Sequence, residues 1–207
     1  ILTFPNATNY KLTPEQAGLL DRYFEGTYRN TAPAEEDQKA EALEAALPQM
    51  RCWLYAPGDN ACMWDEFYTQ GIMGMGWDAI GDFNRYGSKN AVREAMRRNI
   101  DPSKSYRNDG HAVWQFVRDM QPGDVVFVKK GLHRIIGRGV VESDYYWAGD
   151  RSEYRSCRKV RRTHRGEWDY PSGSGPRKTL TEITPYTELV RLLNGLFEEN
   201  ADGGESR

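Results

Sequence analysis

Seven cations crowd into fifteen residues of this chain: Arg151, Arg155, Arg158, Lys159, Arg161, Arg162 and Arg165, against the single acid Glu153. Such a block repels itself unless anions lie close. A polyphosphate partner relieves the repulsion and releases condensed counterions, so the chemistry suggested is phosphate binding. Lys129, Lys130, Arg134 and Arg138 extend the positive surface. The competing reading is a solvated face that pairs with the acidic stretch 34–47. Net charge does not decide between them, because the value of −2 averages the basic block against that stretch and the acidic tail 198–207.

Flat side chains supply a second chemistry. Trp77 follows a Gly-x-Gly pattern and precedes Asp78, Asp82 and Asn84, polar groups able to read a base edge. Tyr145, Tyr146 and Trp147 are adjacent, and neighbours on a strand point to opposite sides, so the three cannot all enter one core. Each ring taken singly reads as core; grouped with polar neighbours they read as a cage. A base stacked on such rings gains about 1–3 kcal/mol. That offsets much of the few kcal/mol needed to extrude it from a duplex. Reaction chemistry has no comparable signature. His111, His133 and His164 stand apart, without metal-ligand spacing. Neither a nucleophile elbow nor a Walker loop is present, and Gly123-Asp124 ahead of a strand is turn chemistry. The expectation is a non-catalytic binding module with no cofactor and no metal.

These side chains need a frame. Thr13-Pro14-Glu15-Gln16 opens a helical region over 13–47, with a second helix from Ala34 to Leu47 stopped by Pro48. Cys52–Tyr55 reads as a strand closed by the turn formers Ala56–Asn60, Trp64 starts a short helix, and 71–77 reads as a strand with alternating glycines. Glycine alternation in a strand marks close approach of another backbone or a ligand. Ser88–Asn99 and His111–Met120 read as helices. Val125–Val128 is apolar on both faces and so central, Lys129–Gly131 reads as a turn, and Arg134–Val141 as the partner strand. Val160, Trp168 and Tyr170 suggest one or two later strands, and Leu189–Phe197 a closing helix. The fold class expected is α+β, a small barrel of about five to six strands surrounded by helices. It occupies residues 51–197, after a helical extension over 1–50. Three cysteines without paired spacing suit a reducing, cytoplasmic setting. No apolar run reaches the roughly 18 residues of a membrane span. The chain opens without Met and reads as a piece of something longer, with 198–207 as an acidic linker cut short.

Four stretches then resemble a known family in order and spacing: Trp53-Leu54-Tyr55 with Pro57, Gly76 to Asp82, Met120 to Phe127, and Ile135 to Val141. They resemble the EVE domain of the PUA-like superfamily, which is related to YTH readers. With Lys178–Tyr186 added, the similarity is greater to EVE-like N-terminal modules of McrB-type restriction GTPases of prokaryotes. The resemblance spans residues 51–197. It implies a PUA-like barrel that flips a modified base of DNA into an aromatic cage, ahead of a motor domain that recruits a nuclease. By position Trp77 matches the cage Trp, Tyr145 to Trp147 the second wall, and Trp53 or Tyr55 the floor. Asp82 and Asn84 fall where the family places a base-edge contact, although Gly-Asp-Phe-Asn replaces the usual Val-Arg-Asn. The modification stays open among 5-methylcytosine, 5-hydroxymethylcytosine and N6-methyladenine. An RNA reader is the alternative, and the fragment is expected to be monomeric and cytoplasmic, with no membrane partner.

Overall fold

The computed structural model describes residues 50–198, so the helices expected over 13–47, the acidic stretch 34–47 and the tail beyond Glu198 lie outside the described residues. The chain divides into two units between Met50 and Arg51, and the fold belongs to the second. Seven strands form one mixed sheet, β1 (Cys52–Tyr55), β2 (Ile72–Met75), β3 (Val125–Lys130), β4 (Arg134–Val141), β5 (Tyr146–Trp147), β6 (Ser156–Asp169) and β7 (Leu180–Glu182). Their order is β2-β6-β4-β3-β1-β7, with β5 also on β6. Four α-helices accompany them: α1 (Trp64–Gln70), α2 (Lys89–Asn99), α3 (Arg107–Trp114) and α4 (Thr187–Glu198). The class is α+β.

β3 runs parallel to β1 and antiparallel to β4, and its residues Val125 to Lys129 are all buried, as a strand apolar on both faces requires. Alternation on β1 divides the core in two. Trp53 and Tyr55 enter one apolar cluster with Phe67, Met73, Met75 and Val128, while Cys52 and Leu54 enter another with Phe127, Leu193 and Phe197 beneath α4. The sheet curls strongly. Three strands separate β1 from β2 in the sheet order, yet the Tyr55 hydroxyl donates to the Gly74 carbonyl at 2.5 Å and accepts from the Gly74 amide at 3.1 Å.

The one or two later strands expected around Val160 and Trp168 are a single 14-residue strand, β6, which pairs with β2 and β5 through its first residues and with β4 through the rest, and Tyr170 lies just past it. Two expectations are corrected. Lys129 and Lys130 end β3 rather than forming the turn. The helix expected from His111 starts at Arg107 and passes into a π-helical turn over Gln115–Asp119. That turn leaves carbonyls without helical donors. Arg158 supplies them, donating to the carbonyls of Phe116 at 2.7 Å and Val117 at 3.3 Å, and to Ser143 at 2.9 Å.

A candidate aromatic pocket

The last residues of β2 set the site's first wall. Past Met75 the chain turns through Gly76 into Trp77, whose φ of 66° is left-handed. Tyr154, just ahead of β6, is also left-handed, at φ 51°. Asp78 holds it there: its carboxylate accepts the Tyr154 amide at 2.7 Å and the Arg155 amide at 2.9 Å. Tyr154 lies over both glycines of this stretch, its ring against Gly76 and its Cβ and carbonyl against Gly74. A Cβ on Gly76 would sit 3.5 Å from its Cε1, and one on Gly74 would sit 3.3 Å from its Cβ and 2.8 Å from the Phe67 ring. Phe67 meets Tyr154 edge-on at 5.6 Å between centroids. A bulky side chain in left-handed backbone costs about 1–3 kcal/mol and survives only where its surroundings over-determine it. Asn60 (φ 49°), Gly58 (φ 76°) and Gly131 (φ 59°) share this region of backbone space around the same opening.

Between these residues lies a cavity of about 470 Å³, where the ends of β1, β2 and β3 meet. Trp77 and Tyr154 supply its aromatic walls. Asp59, Asn60 and Arg177 are exposed at its rim, whereas Lys129 is only 4% exposed and forms its inner part. The Lys129 ammonium donates to the Gly131 carbonyl at 3.2 Å, and no acid pairs with it among the described residues. Burial pushes its pKa below the usual lysine value. The volume falls within the range of small-molecule sites, about 300–1,000 Å³.

Of the expected cage, Trp77 lines the cavity and the others do not. Trp53 and Tyr55 are fully buried: the Trp53 indole donates to Asp124 at 2.7 Å, and Tyr55 spans to Gly74. They point into the core from β1 rather than flooring the site. Tyr145 packs between Phe83 and Phe116, and its hydroxyl donates to Asp82 at 2.7 Å and accepts the Phe83 amide at 3.0 Å. Burial, with Asp82 adding to it, pushes the Tyr145 pKa up. Tyr146 and Trp147 are half-buried on β5, and the Arg155 guanidinium lies 5.9 Å from the Trp147 ring. The polar contacts are also reassigned. Asp78 is spent on backbone amides, Asp82 accepts the Asn84 amide at 2.9 Å as well as Tyr145, and Asn84 is exposed away from the cavity lining.

The cations divide by strand alternation. On β6, Arg158 and Val160 are buried and Arg162 is partly buried, while Lys159 and Arg161 face out. Arg158 caps the π-helical turn, and Arg162 donates to the Ile72 carbonyl with its guanidinium 4.9 Å from the Trp64 ring. Neither can reach phosphate. Arg138 is half-buried against Phe127, and Arg155 donates to the Arg151 carbonyl at 2.6 Å. Arg161 pairs with Glu142 at 3.3 Å, Arg134 with Glu167 and Asp169, Arg151 with Glu66 at 2.6 Å and Arg165 with Asp65 at 2.7 Å. Lys130 and Lys159 are the expected phosphate ligands that stay exposed without an acidic partner among the described residues. Tyr154 and Arg177 were not among the expected site residues. The glycine alternation of β2 signalled a close neighbour, and Tyr154 is that neighbour. Among the described residues no group of three or more His, Cys, Asp or Glu could hold a metal ion, and no helix is long and apolar enough to cross a membrane.

A family model described as "Domain of unknown function (DUF8426)" matches residues 53–187. The chain belongs to this family. The DUF8426 span includes Trp77, Lys129, Tyr154 and Arg177, and ends at the first residue of α4. No curated protein matches. Among solved structures, the chain is similar to the YTH domain of the Zygosaccharomyces rouxii MRB1 protein, crystallised with N6-methyladenosine RNA. Identity is 13%, the TM-score is 0.38, and 70% of this chain and 88% of that one are covered. It is also similar to protein Atu2648 from Agrobacterium tumefaciens, at 17% identity and a TM-score of 0.33, over 69% of this chain and 92% of that one.

Proposed function

We propose that this DUF8426 domain is a non-catalytic nucleic-acid reader that seats one extruded, modified base between Trp77 and Tyr154. The observation that carries the reading is a cavity of about 470 Å³ whose lining includes two aromatic residues in left-handed backbone, Trp77 and Tyr154. Two flat walls suit a flat ligand, and strain at a site is retained where it places a functional group. The lining carries one carboxylate, Asp59, and no histidine. The exposed Arg177 on the lining and the exposed Lys130, next to Lys129 in sequence, can approach the flanking phosphates.

In the finer reading the nucleic acid is DNA, and the domain serves a modification-dependent restriction system. A McrB-type motor elsewhere in the protein would then recruit the nuclease. The support for this part is the order of the sequence motifs, three of which border the cavity: Pro57 precedes its lining residue Gly58, Gly76 to Asp82 supplies Trp77, and Lys178 to Tyr186 supplies Thr179.

The test is a titration against matched duplexes and single-stranded RNAs, with and without one modified base. The expected result is binding that prefers the modified duplex and weakens roughly 5–150-fold in Trp77→Ala, matching about 1–3 kcal/mol of stacking. Equal affinity of Trp77→Ala and the parent protein for every ligand would overturn the aromatic-slot reading. Preference for the RNAs would reassign the substrate.

A further inference from the structure

Lys129 is a cation in the wrong place unless something meets it. Its side chain is 4% exposed, and the one acceptor given to its ammonium is the Gly131 carbonyl. An ammonium has three donors and no acceptor capacity, so two N–H groups remain for a partner. Withdrawing a cation from water without a counter-charge is costly, which is why such lysines are rarely fully buried. Arg158, a second buried cation, which stands on β6, has three carbonyls around it. Lys129 has one, and it lines the cavity. Asp59 shares that lining but is exposed at the rim and forms no ion pair with Lys129.

Resting on the base-reader assignment above, we propose that Lys129 is the base-edge contact, donating to an exocyclic carbonyl oxygen of the base held between Trp77 and Tyr154. The walls take the faces of the ring, so one edge of the ring points to the inner end of the cavity, where Lys129 lies. A phosphate does not fit that position: it is heavily hydrated, and the exposed Arg177 at the rim is the cation placed to meet it. Cytosine, thymine, uracil and guanine carry a carbonyl oxygen. Adenine carries none, so an ammonium finds there only ring-nitrogen acceptors, with the N6 donor beside N1 and N7. The site therefore favours carbonyl-bearing bases, a modified pyrimidine or guanine, over a modified adenine.

The experiment compares the 207-residue protein and Lys129→Met on 12-nucleotide DNAs carrying either one 5-methylcytosine or one N6-methyladenine. The protein is expected to bind the 5-methylcytosine strand at least tenfold more tightly, and Lys129→Met to erase that difference. Lys129→Arg, which keeps the donors, is expected to retain it. Thermal melting of Lys129→Met at or above the parent value shows that the fold is intact. Preference for N6-methyladenine, or equal loss on both strands in Lys129→Met, overturns the role of Lys129 while leaving the reader assignment standing. Failure of the unaltered protein to bind either strand overturns the role of Lys129, and failure on the modified duplexes and RNAs as well overturns the reader assignment.

Discussion

Arg158 and Arg161 stand three residues apart on β6 and do unrelated work. Arg158→Met strips donors from one buried and two partly buried carbonyls, a fully buried one costing about 1–3 kcal/mol when orphaned. A loss on the order of 3 kcal/mol is expected, read as a fall in Tm of roughly 6–12 °C. Arg161→Ala removes an exposed pair with Glu142, and less than about 1 kcal/mol should be lost in the same melt. Treating the seven cations as one surface concealed this difference, although period-two alternation around Val160 was there to be read. Trp77 was legible because a Gly-x-Gly strand ended on it. Tyr154 was not, because its backbone is fixed by Asp78, 76 residues earlier, and no local pattern records that contact.

At the level of elements, β2 is the strand most finely fitted to the cavity. Gly74→Ala places a methyl 2.8 Å from Phe67 and 3.3 Å from Tyr154. Overpacking of this kind costs about 1–3 kcal/mol, and it displaces one aromatic wall. Both a lower Tm and weaker binding are therefore expected from this single change, whereas Trp77→Ala should weaken binding with a smaller effect on melting. The contact of α4 with β6 carries a pH dependence. His164 packs on Phe197 at 4.8 Å between ring centroids, and burial, reinforced by Arg138, lowers its pKa below 6.5. The folded protein thus holds that proton less firmly than the unfolded chain. Stability is full above pH 6.5 and declines as pH falls through that value. His111 is lowered too, so His164→Gln should flatten only part of the slope between pH 7 and 5 in chemical denaturation. The strands rich in β-branched residues were readable nearly to their ends. β6 was not, because cations fill positions where a strand pattern expects apolar ones.

At the scale of the whole described fold, the basic block is mostly satisfied from within. Arg151 and Arg165 pair with acids of α1, and Arg161 with Glu142, so the dense basic block supplies little to an external partner. The salt dependence of nucleic-acid binding should accordingly follow Lys130, Lys159 and Arg177. Replacing Lys130 and Arg177 together by Ala should lower the magnitude of the log K against log[salt] slope by up to about 1.8 for duplex DNA, while Arg161→Ala with Arg165→Ala leaves it nearly unchanged. A slope that follows the second pair instead would return the paired arginines to the interface.

The left-handed turns at Trp77 and Tyr154 have a kinetic consequence. Because the backbone beneath both walls is set by the fold, seating a base calls for no rearrangement of the chain there. Association is then timed by the nucleic acid, by how often a base leaves its own helix. A mismatch opposite the target should quicken capture and leave the lifetime of the bound state unchanged.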